Sequence, residues 1–174
     1  TILNLLTGLL KPTEGEIVVD GNILKSNNIE WQSQVGYVPQ SVYLTSDTLA
    51  ENIAYGSNLE DVDKNLLNDA IKASNLFQTI NVLPNKEKTL ISEAGRNFSG
   101  GQIQRIGIAR GLYKKPKILI LDESTSNLDE SNEKEILNTL MHLKNKITII
   151  FISHKLKSLE FCDKIYELKN KKLN

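Results

Sequence analysis

Two apolar segments joined by one helical segment constrain the fold of this chain more than any other feature. The segments KILILDE (117–123) and ITIIFISH (147–154) lack the apolar-polar alternation of a strand with one face in water. Between them, residues 132–144 place apolar side chains at helical spacing. Buried strands connected by a helix are typical of a parallel βαβ unit. We therefore predict an α/β fold with a mainly parallel sheet that is covered on both faces.

The remaining segments extend this alternation of strands and helices. Further strands are predicted at 16–21, 35–39 and 164–168, and further helices at 2–10, 60–78 and 101–114, with a short helix after His154. Lys11, Pro12 and Gly15 follow the first helix and predict its end. The sequence shows no internal repeat and no linker, so a single domain is expected.

The charge balance bears on the class of partner. The chain has 21 Lys and Arg against 21 Asp and Glu, so its net charge is zero and no nucleic-acid partner is expected. Cys162 is the only cysteine, which excludes an internal disulfide and fits a reducing compartment. No apolar run approaches the roughly 18 residues of a membrane-spanning helix, and no signal peptide opens the chain, so we expect the chain itself to be soluble.

Polar residues follow three of the predicted strands, where ligands of parallel sheets bind. Asp122 and Glu123 follow ILIL, His154 follows IIFIS, and Gln40 follows VGYVP. An acidic pair at the end of a buried strand is costly unless a metal or hydrogen-bond donors neutralise it. A capping Asp with a surface Glu, or a core His, would explain each residue alone. Together, at corresponding strand ends, they favour a functional site.

The stretch NFSGGQIQRIGIARG (97–111) opens a helix with its smallest residues, although glycine usually ends helices. With Ser99 at the N-cap, the first N–H groups of the helix are free and the helix dipole adds partial positive charge. Gly100 and Gly101 leave room for close contact. These features predict an anion site, most naturally for phosphate. A glycine-rich turn would explain the three residues alone, but the longer string favours the site.

Five motifs in this sequence resemble those of ATP-binding cassette (ABC) ATPases, and they occur in the order of that family. FSGGQIQR resembles the signature motif, ILILDE the Walker B strand, and STSNLD (124–129) the D-loop. Gln40 in YVPQS resembles the Q-loop glutamine, and His154 in FISHKL the switch histidine. The resemblance implies a P-loop NTPase-like sheet flanked by helices. It also implies an inserted helical subdomain, at about 41–115, that carries the signature motif.

The resemblance implies a head-to-tail pair of domains that sandwich two ATP molecules. Ser99, Gly100, Gly101 and Gln102 would contact the γ-phosphate of the nucleotide held by the second ABC ATPase domain. Ser126 and Asp129, in the D-loop, would lie at the dimer interface.

The resemblance also implies a chemical role for each polar residue at the strand ends. Asp122 would hold Mg²⁺ through water, and Glu123 would be the general base for the attacking water. Gln40 would sense the metal and the water, and His154 would bind the γ-phosphate. The implied cofactors are therefore ATP and Mg²⁺, and the implied reaction is hydrolysis to ADP and phosphate.

One family motif does not occur in the sequence. A P-loop needs G-x-x-x-x-G-K-[ST], and these 174 residues contain no Gly-Lys dipeptide. By resemblance, Thr1 corresponds to the residue just after that motif, and the family's last helix is not found before Asn174. We therefore expect residues 1–174 to be a partial ABC ATPase domain, inactive alone. The alternative is a degenerate, non-catalytic domain that lends only its signature motif.

Two segments favour the exporter class. TLISEAG (89–95) resembles the X-loop of ABC exporters, and SDTLAENIAYG (46–56) resembles the exporter segment after the Q-loop. The resemblance implies membrane-domain partners, contacted by Gln40 and Glu93, at the cytoplasmic face of the cell membrane. The alternative is a soluble ABC ATPase of DNA repair or translation. DNA-repair relatives carry long coiled coils, but no heptad run lies between Gln40 and Ser99.

Overall fold

The structure, a computed structural model, describes residues 1–92, 95–169 and 172–173. Its helices are α1 (Ile2–Leu6), α2 (Ile29–Ser33), α3 (Leu49–Ile53), α4 (Lys64–Ala73), α5 (Phe77–Asn81), α6 (Gly100–Leu112) and α7 (Glu130–Leu143). Its strands are β1 (Val18–Val19), β2 (Asn22–Ile23), β3 (Val35–Val38), β4 (Ile118–Asp122), β5 (Thr148–Ile152), β6 (Leu168–Lys169) and β7 (Lys172–Leu173). Among these residues, no helix combines the length and apolar character that crossing a membrane requires.

A parallel sheet with the strand order β3-β4-β5 forms the centre of the fold. The central strand β4 buries Leu119, Ile120 and Leu121 almost completely. Its sequence therefore lacks the apolar-polar alternation of a half-exposed strand, because these three side chains, which point to both faces of the sheet, are all buried. The α/β class and the parallel sheet are both confirmed. The elements β3, α6, β4, α7 and β5 match their predicted positions to within a few residues.

Helix α6 packs against one face of the sheet at very short range. A Cβ atom on Gly36 of β3 would overlap the carbonyl oxygen of Gly111 in α6. The pair of glycines therefore lets the helix backbone approach the strand. Ile106 and Ile108 are fully buried in this layer. Arg105, also on α6, adds polar links by donating to Thr139 Oγ1 (3.3 Å) on α7.

The opposite face of the sheet is covered only in part. Helices α1 and α2 are joined there by a hydrogen bond of 2.8 Å from Trp31 Nε1 to the Leu6 carbonyl oxygen. A groove of about 300 Å³ remains open between these elements, the β1-β2 hairpin, and Ile120 and Ile150 of the sheet. The prediction that both faces are covered therefore holds for the α6 face and is incomplete for the other.

Two predicted helices are shorter than expected. The segment 60–78 is divided because Asn75 takes a left-handed φ of 57°, which ends α4 before α5 begins. Asp63 sets the start of α4 by accepting from the N–H groups of Asn65 and Leu66. Helix α1 ends at Leu6 and not at Leu10, because the chain turns at Gly8 with a φ of 71°.

Two predicted strands are also revised. The segment 16–21 forms only the first half of a hairpin, in which Asp20 and Gly21 both have positive φ between β1 and β2. Asp-Gly is a favoured pair for such a two-residue turn. Of the predicted strand 164–168, only Leu168 is in a strand, where it pairs with Leu173. The short helix predicted after His154 is a 3₁₀ turn at Leu156–Leu159.

Candidate active site

The carboxyl ends of the three parallel strands bring Gln40, Glu123 and His154 together. Gln40 Nε2 donates to Glu123 Oε2 over 3.1 Å. His154 Nε2 lies 2.9 Å from the other carboxylate oxygen, Oε1. The three residues come from segments up to 114 positions apart in sequence, since 154 minus 40 is 114. The sheet order β3-β4-β5 therefore produces a cluster centred on one carboxylate.

Glu123 is held in a strained backbone conformation. Its φ of 47° lies in the left-handed region, which L-residues with a side chain rarely adopt. The Glu123 N–H donates to the Ile152 carbonyl oxygen (3.0 Å), so pairing with β5 continues through this residue. Its own carbonyl oxygen accepts from the Ser126 N–H over 3.0 Å. These two bonds hold a conformation that costs on the order of 1–3 kcal/mol.

The hydrogen-bond pattern fixes the roles of the two neighbours of Glu123. A carboxylate only accepts, so the hydrogen shared with His154 lies on Nε2. Gln40 Nε2 also lies 3.2 Å from Ser126 Oγ, which ties the segment after β3 to the loop after β4. The His154 side chain is 86% exposed and that of Glu123 is 28% exposed, so a ligand can reach both.

Asp122 has a partner that the sequence analysis missed. The hydroxyl of Tyr37, on β3, donates to Asp122 Oδ2 over 3.0 Å. Burial raises the pKa of Tyr37, and the hydrogen bond and negative charge of Asp122 raise it further. Tyr37 is three residues before Gln40 in the same strand-end segment, and that proximity was the available signal.

The N-terminus of α6 has the predicted cap. Ser99 Oγ accepts from the Gln102 N–H (3.3 Å), and Gln102 Oε1 accepts from the Ser99 N–H (2.9 Å), a reciprocal capping box. Ser99 and Gly100 are exposed, whereas Gly101 is buried. Among the described residues, the N–H groups of Gly100 and Gly101 have no acceptor.

The two glycines differ in what surrounds them. A Cβ atom on Gly101 would overlap Asn132 Oδ1 of α7, whereas one on Gly100 would make only ordinary contact with Leu128 at 3.6 Å. The expectation that both glycines leave space for a ligand is therefore corrected for Gly101, whose space is taken by its own chain.

Asp129 caps the helix that supports the signature residues. Its Oδ1 accepts from the Asn132 N–H (3.0 Å), and its Oδ2 accepts from Asn132 Nδ2 (2.6 Å). These bonds, the backbone bond first, lower the pKa of Asp129. Asp129 and Ser126 are both exposed. Within the described part of the chain, no hydrogen bond joins Ser99–Gln102 to the Glu123 cluster, so the loop 124–129 lies between two separate groups of site residues.

Glu133 is a second residue that the sequence analysis missed. It is a buried carboxylate on α7, in register with the buried Ile136, Leu140 and Leu143. A charged residue on the apolar stripe of an amphipathic helix was the signal that could have identified it. Its contacts are considered below.

One predicted site residue, Glu93, is not among the residues that the structure describes. A cleft of about 740 Å³ lies at the opposite ends of β4 and β5, beside Lys117 and Thr148, and contains none of the predicted site residues. In the described ranges, no group of three or more His, Cys, Asp or Glu side chains is placed to hold a metal ion.

Comparison with known proteins identifies the family. Residues 1–126 match the family described as ABC transporter. The chain is 39% identical over 174 residues to human ATP-binding cassette sub-family B member 5, covering 99% of this chain and 14% of that protein. It is 42% identical over 171 residues to the ATP-dependent lipid A-core flippase of Saccharophagus degradans, covering 98% of this chain and 29% of that protein.

A solved structure agrees with these relatives. The structure of a bacterial Atm1-family ABC exporter with ATP bound matches with a TM-score of 0.77 and 35% identity, over 91% of this chain and 28% of that one. The chain therefore belongs to the ABC transporter family, as its motifs indicate. It spans 14% to 29% of the length of these curated relatives.

Proposed function

We propose that this chain is part of the ATP-binding and hydrolysing domain of an ABC exporter. The observation that carries the proposal is the position of Glu123, held between Gln40 and His154 directly after the apolar strand β4. The names of the relatives, an ATP-dependent flippase and an ATP-bound exporter, support ATP as the substrate and transport as its use.

Glu123 is suited to be the general base for hydrolysis. Each of its oxygens accepts one hydrogen bond here, and a carboxylate oxygen has two lone pairs, so a water can still be bound at either. Gln40 and His154 fix the carboxylate from two sides. His154 Nε2 carries a hydrogen, so the same ring can turn to donate to the γ-phosphate. Positioning and electrostatics of this kind account for most phosphoryl-transfer catalysis.

The residues at this edge of the sheet fit Mg²⁺. Asp122 and Gln40 offer hard oxygen ligands but no complete ligand set, and Mg²⁺ is commonly held by one or two carboxylates, waters and substrate phosphates. When bound, Mg²⁺ would neutralise charge on the transferred phosphate. Asp122 would orient the metal-bound water, and Tyr37 holds that carboxylate in place.

The start of α6 fits a phosphate supplied by a second domain. The free N–H groups of Gly100 and Gly101 lie at the positive end of a 13-residue helix. Ser99 and Gln102 cap this end, and Ser99 is exposed beside it. We infer a head-to-tail dimer in which these residues contact the γ-phosphate bound by the partner, with Ser126 and Asp129 at the interface.

The exporter assignment adds a membrane partner. By likeness to the exporter relatives, Gln40 and Glu93 would contact membrane domains at the cytoplasmic face of the membrane. The division into a helical subdomain at about 41–115 and an α/β core belongs to the same proposal.

The test is a substitution of the proposed base in the full-length protein that contains these residues. Glu123→Gln keeps the side-chain shape and removes the base, so Mg-ATP hydrolysis should fall about 10²–10⁴-fold while ATP binding persists. Steady-state turnover and nucleotide binding are measured on the same preparation. Glu130→Gln, an exposed change of the same kind on α7, is the matched control. Glu123→Gln protein that hydrolyses ATP at the wild-type rate would refute the assignment.

A further inference from the structure

Glu133 is a buried carboxylate that the proposed hydrolysis does not use. Its Oε1 accepts from Thr125 Oγ1 (3.0 Å) and from Ser158 Oγ (2.7 Å), and its Oε2 accepts from Lys155 Nζ (2.8 Å). Thr125 and Ser158 are themselves 1% and 2% exposed. Three donors therefore converge on one charge inside the protein.

The three donors come from the two loops that carry the site. Thr125 lies two residues after Glu123, in the loop that follows β4. Lys155 directly follows His154, and Ser158 lies on the 3₁₀ turn Leu156–Leu159 of the same loop. A single carboxylate on α7 thus binds the loop of the proposed base and the loop of the proposed phosphate-binding histidine.

Three hydrogen bonds stabilise the charged form of Glu133. Burial by itself raises the pKa of Glu133, but the hydrogen bonds from Lys155, Ser158 and Thr125 outweigh it and lower the pKa. Loss of the carboxylate would leave two buried hydroxyls without their acceptor, at a cost of about 1–3 kcal/mol for each unsatisfied group. We expect the loops to shift so that water can reach these groups.

His154 depends on its loop for its position. Its ring has one hydrogen bond among the described residues, to Glu123, and its side chain is largely exposed. The position of the ring therefore depends mainly on the backbone at residues 153–155. A displacement of about 1 Å in a catalytic constellation can cost about 10²-fold in rate.

We propose that Glu133 is a positioning residue that sets the distance between the Glu123 loop and the His154 loop. The proposal rests on the proposed function for its effect on rate. It does not depend on that function for its effect on the two loops. Glu133 touches neither nucleotide nor water in this role and acts only through the loops.

The kinetic test uses Glu133→Gln in the full-length protein, with Glu130→Gln as the control. The amide oxygen can still accept from Thr125 and Ser158, but the amide nitrogen then faces the donor Lys155 Nζ, so two opposed donors replace the ion pair that holds the His154 loop. We expect kcat to fall at least about tenfold. KM for ATP should change by less than kcat does, because His154 is only one of the proposed phosphate contacts. Lys155→Gln breaks only the partly exposed bond and should lower kcat less, which covers the case in which Glu133→Gln fails to fold.

A double-mutant cycle separates positioning from a general structural role. If Glu133 acts through His154, then Glu133→Gln should lower kcat by less than about twofold in a His154→Ala background. An equal loss of rate in both backgrounds would overturn the proposal.

Amide hydrogen exchange provides a readout that does not require ATP hydrolysis. Exchange at 124–128 and 153–159 should be faster in Glu133→Gln than in Glu130→Gln, and exchange in β4 should be unchanged. Faster exchange in Glu133→Gln, together with a wild-type full-length protein that hydrolyses no ATP, would refute the proposed function and support the positioning role. Unchanged exchange at both loops, with hydrolysis intact, would overturn the positioning role alone.

Discussion

Glu123 shows how much a single residue at this site is constrained by its neighbours. Its left-handed backbone turns the side chain between Gln40 and His154, and its N–H stays paired with Ile152. A glycine would take this conformation without strain, so a glutamate at this position lowers the stability of the fold. Strain of this kind, maintained by surrounding bonds, is typical of functional sites.

At the same scale, the charge of Glu133 predicts a pH dependence of stability. The pKa of Glu133 is lowered from its ordinary 4.5, so its contribution is present above pH 4.5 and is lost as pH falls through the folded-state pKa. The Tm of the wild-type protein should therefore fall more steeply than the Tm of Glu133→Gln as the pH is lowered below 4.5. If the Tm of the two proteins falls equally with pH below 4.5, the prediction is wrong.

At the scale of elements, the contact between α6 and α7 sets the position of the signature residues. Gly101 lies against Asn132, and Asn132 is held by the N-cap Asp129. The start of one helix is therefore positioned by the start of the other. The loop 124–129 connects β4 to α7, so it links the Glu123 cluster to this contact between the two helices.

This contact predicts different outcomes for two neighbouring glycines. Gly101→Ala places a Cβ atom on the Asn132 amide and should destabilise the protein by about 1–3 kcal/mol. Gly100→Ala meets only an ordinary contact with Leu128 and should change stability by less than about 1 kcal/mol. Thermal unfolding of the two variants gives the comparison. Asn132→Gly, which removes the overlapping side chain, should reduce the loss caused by Gly101→Ala, and equal stability of the two alanine variants would refute the packing argument.

At the scale of the whole molecule, the parallel sheet brings Gln40, Glu123 and His154 into one cluster. The strand order β3-β4-β5 places three strand ends side by side, although their polar residues are far apart in sequence. The signature helix packs on the same sheet through Gly36 and Gly111, so both groups of site residues lie on elements that are in direct contact.

At this scale we expect the 174 residues by themselves to hydrolyse no ATP at a meaningful rate. They contain no Gly-Lys dipeptide and therefore no P-loop to cradle the phosphates. The full-length protein should hydrolyse Mg-ATP under the same conditions. A phosphate-release assay on both proteins makes the comparison. Turnover by the 174 residues that matches the full-length protein and is abolished by Glu123→Gln would contradict the expectation.

The sequence by itself determined the elements whose signals are local. The apolar runs of β4 and β5, the helical period of α7 and the N-cap at Ser99 depend on residues within a few positions of each other, and the structure has them where they were predicted. The family motifs are also local strings, which is why the amino-acid sequence alone indicates the family and the class of site.

Only the tertiary structure decided which distant groups meet. The bond from Tyr37 to Asp122 spans 85 positions, and the bonds of Glu133 reach 8 positions back and 25 forward along the chain. No local pattern encodes such contacts, because they depend on strand order and on the angle at which α7 packs. The space at Gly101 was wrongly predicted for the same reason, since its neighbour Asn132 lies on another helix. Local propensity therefore set the elements, and packing between them set the site.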